Sequence, residues 1–484
     1  MVKDRETIVY RTVAFTAGFV LMTFELVAAR MLAPTIGTSI FVWTNVLGVI
    51  MAALALGYWL GGRLADKRKE DMDIVWLLFA VVASIIFVLV AGSSIIELGL
   101  VFFRDARWQG LFVATFLFAA PSLLLGMTSP YLAKLAVSST KTTGNAVAGL
   151  STANAIGSIL GTFATGFILF GLIGGYTILL ALIILTIVAS WLVAPKELWK
   201  LRVAVSGLAV IIALVAVLQP ADTRGRVIDT AAARYVVHEG LWRDGREVRM
   251  LITGPRGAQS AVYTDGSNDL VFWYKQQVSA LLRRLHEEDA EFRVLILGGG
   301  AFTLPDYLAR NFPKARIDVV EIDPELFDIA QRYFGVEDHA NMHIYAEDAR
   351  SFVNRGGDGK LYDFVLVGVS HDIALPWQFA TKEFGEAVAQ ILARDGVAVV
   401  NLIAAEEGGC ARIYEAVYGA YAQYFRYRYL TRDNVAPDEI ANSVMVFARE
   451  PKPELGLRRL DKEIGRVYTD RFAPIEHLLL QCHR

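Results

Sequence analysis

Long apolar segments dominate the first 219 residues, and shorter apolar runs that alternate with charged stretches follow them. Seven of these segments are long enough to cross a bilayer, which takes about 20 residues per helix. We therefore predict a transmembrane helical domain over residues 1–219. Its predicted spans are residues 8–29, 41–62, 74–96, 109–133, 146–172, 175–194 and 201–219.

After Pro220 the apolar pattern changes to strand and helix periods. Residues 220–285 are predicted to form a small β-rich lead-in, because RYVVHEG, VRMLITG and QSAVYTD are strand-like and Gly and Asp turns separate them. Residues 286–450 predict a Rossmann-like α/β domain with a doubly wound, largely parallel sheet. Residues 451–484 are predicted to be a tail whose segment IEHLLLQCHR either docks on the domain or mediates an oligomer.

Composition agrees with this division. The chain is 55% hydrophobic and its mean hydropathy is +0.42, values too apolar for an ordinary soluble protein. A net charge of −2 does not indicate a nucleic-acid partner. The two cysteines, Cys410 and Cys482, show no metal or redox spacing, so we expect buried thiols. A disulfide is expected only if the domain faces an oxidising compartment.

Basic residues lie mostly on one side of the predicted bundle, and that side is expected to be cytoplasmic. An odd number of spans then places residues 220–484 outside the cytoplasm. The basic side carries Lys3, Arg5, Arg11, Arg63, Lys67, Arg68, Lys69, Lys134, Lys141, Lys196, Lys200 and Arg202, and the other side carries Arg30, Arg104 and Arg107.

Three features of the predicted spans bear on packing or function. Glu25 is a functional candidate, because a carboxylate inside a bilayer is costly. Alternatively it lies near the outer interface or bonds to a neighbouring helix such as the one with Asn45. Small residues recur every four positions in the fifth span, from Gly149 to Gly161, and predict close helix packing. The segment GYWLGGRLADKRKED is expected to be a basic loop with a glycine-assisted tight turn.

A glycine-rich turn is the most informative feature of the C-terminal half. Gly298, Gly299 and Gly300 follow the apolar run 294–297, which predicts a buried strand. Thr303 is the expected N-cap of the helix that follows. This strand–glycine–helix order is typical of a nucleotide-binding turn.

Acidic residues follow the next two predicted strands. Glu321 ends the strand 317–320 and lies 23 residues beyond Gly298, close to the spacing of a ribose-binding carboxylate. Asp348 follows the strand 342–345, at a position suited to an adenine amino group. These acids favour an adenosine-type ligand.

Several motifs together resemble a bacterial fused family that joins a transporter-like, major-facilitator-like membrane domain to a spermidine-synthase-like domain. In the membrane half they are ALALGYWLGGRLADK, LLLGMTSPYLAKLA and STANAIGSILGTFATGFIL. In the other half they are GAQSAVYTDG, LILGGGAFTLP, VVEIDPE, AEDAR and LVGVSHDIALPWQFATKEF. The resemblance implies a multi-pass protein of the bacterial inner membrane. It also implies aminopropyl transfer from decarboxylated S-adenosylmethionine to a polyamine, with methylthioadenosine as the leaving product and no further cofactor or metal.

The resemblance also assigns roles to residues. Gln259 and the three glycines would line the nucleoside site, Glu321 would hold the ribose, and Asp348 would contact the adenine. Tyr274 would orient the amine or the sulfonium arm.

The family pattern is broken at two acidic positions. Active enzymes carry an aspartate where Gly368 stands, and an acid usually follows the glycine motif, where Ala301 and Phe302 stand in this chain. Asp372 is expected to substitute as the carboxylate if its loop folds back, and His371 is a candidate base. Three interpretations stay open: a membrane-tethered aminopropyltransferase, a catalytically silent scaffold or accessory subunit of a membrane complex, and a methyltransferase-type enzyme.

Overall fold

The computed structural model describes residues 2–36, 40–67, 71–103, 105–137, 143–194, 199–218, 225–254, 257–369 and 375–479. The chain divides into two compact units, Met1–Tyr235 and Val236–Arg484. The division falls later than the composition change at Pro220.

The described part of the first unit is helical apart from one short strand, β1 (Arg226–Asp229), and the start of a second. Each of the seven predicted spans corresponds to a helix that is long and apolar enough to cross a membrane. A π-helical turn, Thr165–Leu169, joins α5 and α6 into one such span. The helices are α1 (Val2–Ile36), α2 (Ile40–Lys67), α3 (Asp71–Phe102), α4 (Ala106–Ala136), α5 (Thr143–Ala164), α6 (Phe170–Leu172), α7 (Gly175–Val193) and α8 (Trp199–Leu218).

Glycines allow two pairs of these helices to approach closely. A Cβ atom at Gly157 of α5 would lie 2.0 Å from the carbonyl oxygen of Phe15 in α1, which confirms the predicted close packing of the fifth span. A Cβ atom at Gly57 of α2 would lie 2.2 Å from the carbonyl oxygen of Leu123 in α4. The segment GYWLGGRLADK is helical as far as Lys67, so the predicted glycine turn is wrong there. Its glycine face instead packs on α4.

A buried ion pair ties the segment after the last helix to the bundle. Arg234 Nε donates to Asp229 Oδ1 over 2.6 Å, and their side chains are only 4% and 6% exposed. Asp229 Oδ2 also accepts from the Gly175 amide at the start of α7, and Arg30 of α1 donates to the carbonyl of Thr230. Burial opposes ionisation, but the hydrogen bond and charge of Arg234 hold the pKa of the Asp229 carboxyl below its usual range. These contacts explain why the first unit extends to Tyr235.

Glu25 lies in α1 and is partly buried. Within the described residues its carboxylate has no hydrogen-bond or ion-pair partner. Asn45 instead donates to the carbonyl oxygen of Arg107 over 2.7 Å. The proposed bond between Glu25 and the helix with Asn45 is therefore absent from the described part of the chain.

The second unit is an α/β domain with an antiparallel lead-in, as the sequence predicts. The lead-in strands are β2 (Arg234–Leu241), β3 (Glu247–Gly254) and β4 (Gly257–Tyr263). The main sheet contains β5 (Arg293–Leu297), β6 (Arg316–Glu321), β7 (Met342–Ala346), β8 (Tyr362–Val367), β9 (Leu392–Ala404), β10 (Tyr427–Arg432), β11 (Ala441–Ala448) and β12 (Arg458–Arg459). The helices are α9 (Trp273–Leu285), α10 (Thr303–Asn311), α11 (Leu326–Phe334), α12 (Ala349–Asn354), α13 (Lys382–Ile391), α14 (Ala411–Ala422) and α15 (Ile475–Leu479).

The main sheet is mixed and has the order β12-β10-β11-β9-β8-β5-β6-β7. Strands β9, β8, β5, β6 and β7 run parallel, while β11, β10 and β12 are antiparallel to their neighbours. The chain moves from β5 to β6 and β7 on one side and then returns to β8 on the other. The carboxyl ends of β5 and β8 therefore flank a topological switch point, where ligands of such sheets bind.

The C-terminal tail belongs to this domain. Strand β12 adds to the sheet edge, and Ile475 and Leu478 enter the buried core around Phe384 and Tyr421. Cys410 is disulfide-bonded, so the buried free thiol predicted there is wrong. Cys482, the other cysteine of the chain, lies outside the described residues.

Candidate functional site

The glycine turn lies at the carboxyl end of β5. Gly298 and Gly300 have φ angles of 92° and 54°, in the left-handed region that favours glycine. A Cβ atom at Gly298 would lie 3.0 Å from the carbonyl oxygen of Gly368, and one at Gly300 would lie 2.8 Å from Ser260 Oγ. The turn therefore packs directly against the end of β8 and against β4.

Glu321 fixes the conformation of this turn. Its Oε2 accepts from the amides of Gly299 and Gly300 over 2.9 and 3.3 Å, and its Oε1 accepts from Asp323 N over 3.2 Å. Burial raises the pKa of the Glu321 carboxyl, and the backbone donors oppose that rise. A carboxylate offers about four lone-pair sites, so these three bonds leave room for a further donor. Ribose binding by Glu321 stays a prediction.

Asp348 and Thr303 have local roles that differ in part from those expected. Asp348 follows β7 and caps α12, because its Oδ1 accepts from Ser351 N over 2.8 Å. Its contact with adenine stays a prediction. The N-cap of α10 is Phe302, in the left-handed region at φ 52°, so the predicted Thr303 cap is wrong. The ring of Phe302 is fully buried edge-on against Phe327, which holds this unusual backbone conformation.

A cavity of about 670 Å³ lies at the switch point. It opens over the carboxyl ends of β5 and β8 and extends to β9 and β11. Predicted site residues Gln259, Tyr274 and the three glycines line it, whereas Glu321 and Asp348 do not. Other lining residues include Trp242, Arg243, Ser260, Phe272, Lys275, Gly368, Asn401, Ile403, Asp433 and Asn442.

Lys275 is a buried amine in this cavity that the sequence analysis missed. Its side chain is on α9, and the residue is only 4% exposed. Its Nζ donates to Ser260 Oγ over 3.2 Å and to Thr303 Oγ1 over 2.5 Å. Burial lowers the pKa of this amine to about 7. One sequence signal pointed to it, because the spacing to Val278 and Leu282 places Lys275 on the apolar face of the helix.

Three side-chain amide oxygens in the cavity wall lack hydrogen-bond partners within the described residues. They belong to Gln259, Asn401 and Asn442. Because Val367 pairs with Val400, Asn401 of the neighbouring strand β9 stands beside Gly368. Buried acceptors are normally paired, so these oxygens are suited to N–H or O–H donors of a ligand.

The predicted acceptor end of the site is only partly described. Gly368 contributes no carboxylate, and a Cβ atom there would lie 3.5 Å from its nearest neighbour, so a side chain has room. Tyr274 lines the cavity, and burial raises the pKa of its phenol, which stays neutral. The predicted catalytic residues His371 and Asp372 lie outside the described residues.

Comparison with known proteins places the same region in a family context. Residues 272–405 match the family described as Spermine/spermidine synthase domain. The polyamine aminopropyltransferase of Vibrio vulnificus is 32% identical over 206 residues, covering 38% of this chain and 68% of that protein. The eEF1A lysine and N-terminal methyltransferase of Mus musculus is 33% identical over 118 residues, covering 23% of this chain and 17% of that protein. The probable spermidine synthase structure from Corynebacterium glutamicum has 19% identity and a TM-score of 0.40, covering 47% of this chain and 80% of that one.

Proposed function

Because the chain belongs to the spermine/spermidine synthase family, we propose that its second unit binds an adenosine-type sulfonium ligand and transfers an alkyl group to an acceptor. The observation that carries this proposal is the open cavity at the switch point. It is bordered by the glycine turn and lined by Gln259, Asn401 and Asn442, whose side-chain oxygens have no partner among the described residues. In the family reaction the donor is decarboxylated S-adenosylmethionine, the group is aminopropyl and the acceptor is a polyamine.

In such a transfer the sulfonium is already a good leaving group, so the protein mainly has to position the two reactants. The lone pair of a neutral amine attacks the carbon bound to the sulfonium, the carbon–sulfur bond breaks, and its electron pair stays on sulfur. The products are methylthioadenosine and an alkylated ammonium, which then loses one proton to a base or to water. Aromatic walls formed by Trp242, Phe272 and Tyr274 suit a sulfonium or ammonium cation. Holding both reactants in line provides much of the rate.

Gly368 stands where active members of the family carry an aspartate, so this chain lacks one carboxylate that the family reaction uses. Without a carboxylate there, the described cavity offers one acid, Asp433, to a polyamine that carries two or more positive charges. We assign the missing carboxylate role to Asp372, with His371 as the base, if the family reaction occurs. Gly368 also favours the second candidate, a catalytically silent scaffold or accessory subunit that binds the nucleoside, alone or as a homo-oligomer, within a membrane complex.

We also propose that the first unit anchors the protein in a lipid bilayer, as a multi-pass protein of the bacterial inner membrane. The seven long apolar helices and the uneven distribution of basic residues support this placement, with the second unit outside the cytoplasm.

The two candidate functions differ in whether the protein consumes decarboxylated S-adenosylmethionine: a transferase does and a silent scaffold does not. The full-length protein, purified in detergent, is incubated with decarboxylated S-adenosylmethionine and putrescine while the release of methylthioadenosine is followed. Release above the rate without protein supports transfer. Binding of methylthioadenosine without turnover supports the silent scaffold, and the absence of both contradicts the proposal.

A further inference from the structure

Lys275 is connected through Ser260 to Ala301, one of the two residues that stand where the family carries an acid. Ser260 Oγ accepts from Lys275 Nζ over 3.2 Å and from the amide of Ala301 over 3.1 Å, so one hydroxyl connects the two residues. Ala301 directly follows the glycine turn, and Lys275 lines the cavity beyond it. With a nucleoside at the glycine turn, as proposed above, the amine is within reach of the ligand's side chain.

The described residues around this amine carry little negative charge. The charged residues among the described lining are Arg243, Lys275 and Asp433, and neither Ala301 nor Gly368 supplies a carboxylate. The side chain of decarboxylated S-adenosylmethionine ends in an ammonium group. Placing that group beside a buried amine brings like charges together in a poorly solvated site.

Within the described residues, the bonding of Lys275 leaves one donor available. A lysine ammonium has three N–H donors, and the hydroxyls of Ser260 and Thr303 accept two of them. Burial lowers the pKa of Lys275 to about 7. Neither hydroxyl is charged, and the Phe272 and Tyr274 rings, 5.4 and 5.9 Å from Nζ, offer the cation their π faces but no opposite charge. An anionic ligand group in the cavity would supply that opposite charge.

We propose that Lys275 receives the carboxylate of a sulfonium nucleoside, so that the cavity selects intact S-adenosylmethionine over its decarboxylated form. This inference rests on the proposed nucleoside binding and specifies the ligand's side chain. The amide oxygen of Gln259 has no partner in the described part of the chain and lies beside Gly300. It accepts from the ligand's α-ammonium or from a ribose hydroxyl.

The test compares three ligands on the full-length protein in detergent: S-adenosylmethionine, decarboxylated S-adenosylmethionine and methylthioadenosine, which lacks the charged side chain. In the unaltered protein we expect S-adenosylmethionine to bind about tenfold or more tightly than the decarboxylated form, the size expected for one charge-assisted hydrogen bond. Equal binding, or tighter binding of the decarboxylated form, overturns the inference. This comparison does not depend on the folding of any variant.

Two variants then locate the effect. Lys275→Met should remove the preference for the ligand that carries the carboxylate, while changing the affinity for methylthioadenosine much less. Lys275→Arg should retain most of that preference. If Lys275→Met weakens all three ligands equally, Lys275 has only a structural role and the assignment is wrong. If methylthioadenosine does not bind the unaltered protein, the proposed nucleoside site itself is wrong.

Discussion

The amide of Gly299 donates to Oε2 of Glu321 over 2.9 Å, so the acid that ends β6 holds the glycine turn that ends β5. Glu321 is 8% exposed, and its other oxygen holds the amide of Asp323. The carboxylate predicted to bind ribose therefore also sets the shape of the site before any ligand arrives. Such preorganisation reduces the ordering cost of binding.

Replacing Glu321 should weaken nucleoside binding and also destabilise the domain. Glu321→Ala removes a charged acceptor, which costs about 1.5–3 kcal/mol in methylthioadenosine binding by calorimetric titration. It also leaves the amides of Gly299 and Gly300 without their acceptor, so the melting temperature should fall. Glu321→Gln is the matched control, because it keeps the size and one carbonyl acceptor. If Glu321→Ala binds methylthioadenosine as tightly as the unaltered protein does, Glu321 does not contact the ribose.

The pH dependence of this binding has a defined sign. Burial raises the pKa of Glu321, and the ribose hydroxyls need the ionised carboxylate as acceptor. Affinity should therefore be complete well above that raised pKa and should fall as the pH is lowered through it, at a higher pH than an ordinary glutamate would give. Glu321→Gln should abolish this dependence.

Aminopropyl transfer to putrescine should be very slow in the unaltered protein. Loss of a positioned general base typically lowers the rate by about 10²–10⁴-fold. Gly368→Asp should raise the rate, because it supplies the missing carboxylate. The new side chain fits, since a Cβ atom at this position would lie 3.5 Å from its nearest neighbour. Gly368→Asn is the uncharged control and should not raise it. Rapid turnover by the unaltered protein that Asp372→Asn abolishes would instead make Asp372 the working carboxylate.

Breaking the buried pair between Asp229 and Arg234 should destabilise the first unit. Removing one partner of a buried ion pair typically costs about 3–5 kcal/mol, because the other charge stays buried and unpaired. Asp229→Asn should therefore lower the melting temperature of the full-length protein clearly. Lys134→Ala is the control, because it breaks an exposed ion pair: the side chains of Lys134 and Asp66 are 47% and 71% exposed. This variant should change the melting temperature little. Equal effects of the two variants would contradict a special role for the buried pair.

Elements with local signals were predictable, whereas contacts between distant residues were not. The strand before Gly298 and the strand that ends in Glu321 follow from apolar runs and turn residues. Phe302 takes the cap position because its ring is buried against Phe327, a contact that no local pattern shows. The burial of Lys275 in the site could not be predicted, because its amine bonds to the hydroxyls of Ser260 and Thr303, which are distant in the sequence. The glycine face at Gly57 was assigned to a turn because its partner helix, α4, follows much later.

The side of the membrane can be tested with fused reporters. The seven candidate spans and the excess of basic residues on one side predict that the C-terminus lies outside the cytoplasm. A reporter that is active only in the periplasm, fused after Arg484, should be active. A reporter that is active only in the cytoplasm, fused at the same position, should be silent. The reverse pattern would mean that the number of spans crossing the membrane is even.

Calorimetric titration of the full-length protein with methylthioadenosine tests the nucleoside site most directly. We expect saturable binding, a rise in melting temperature with ligand, and a loss of about tenfold or more in affinity on Gln259→Leu, which removes an unpaired acceptor of the cavity. That substitution should not lower the melting temperature of the free protein, because the amide oxygen has no partner in the described residues. No heat and no shift in melting temperature at millimolar ligand would contradict the proposed adenosine-type site.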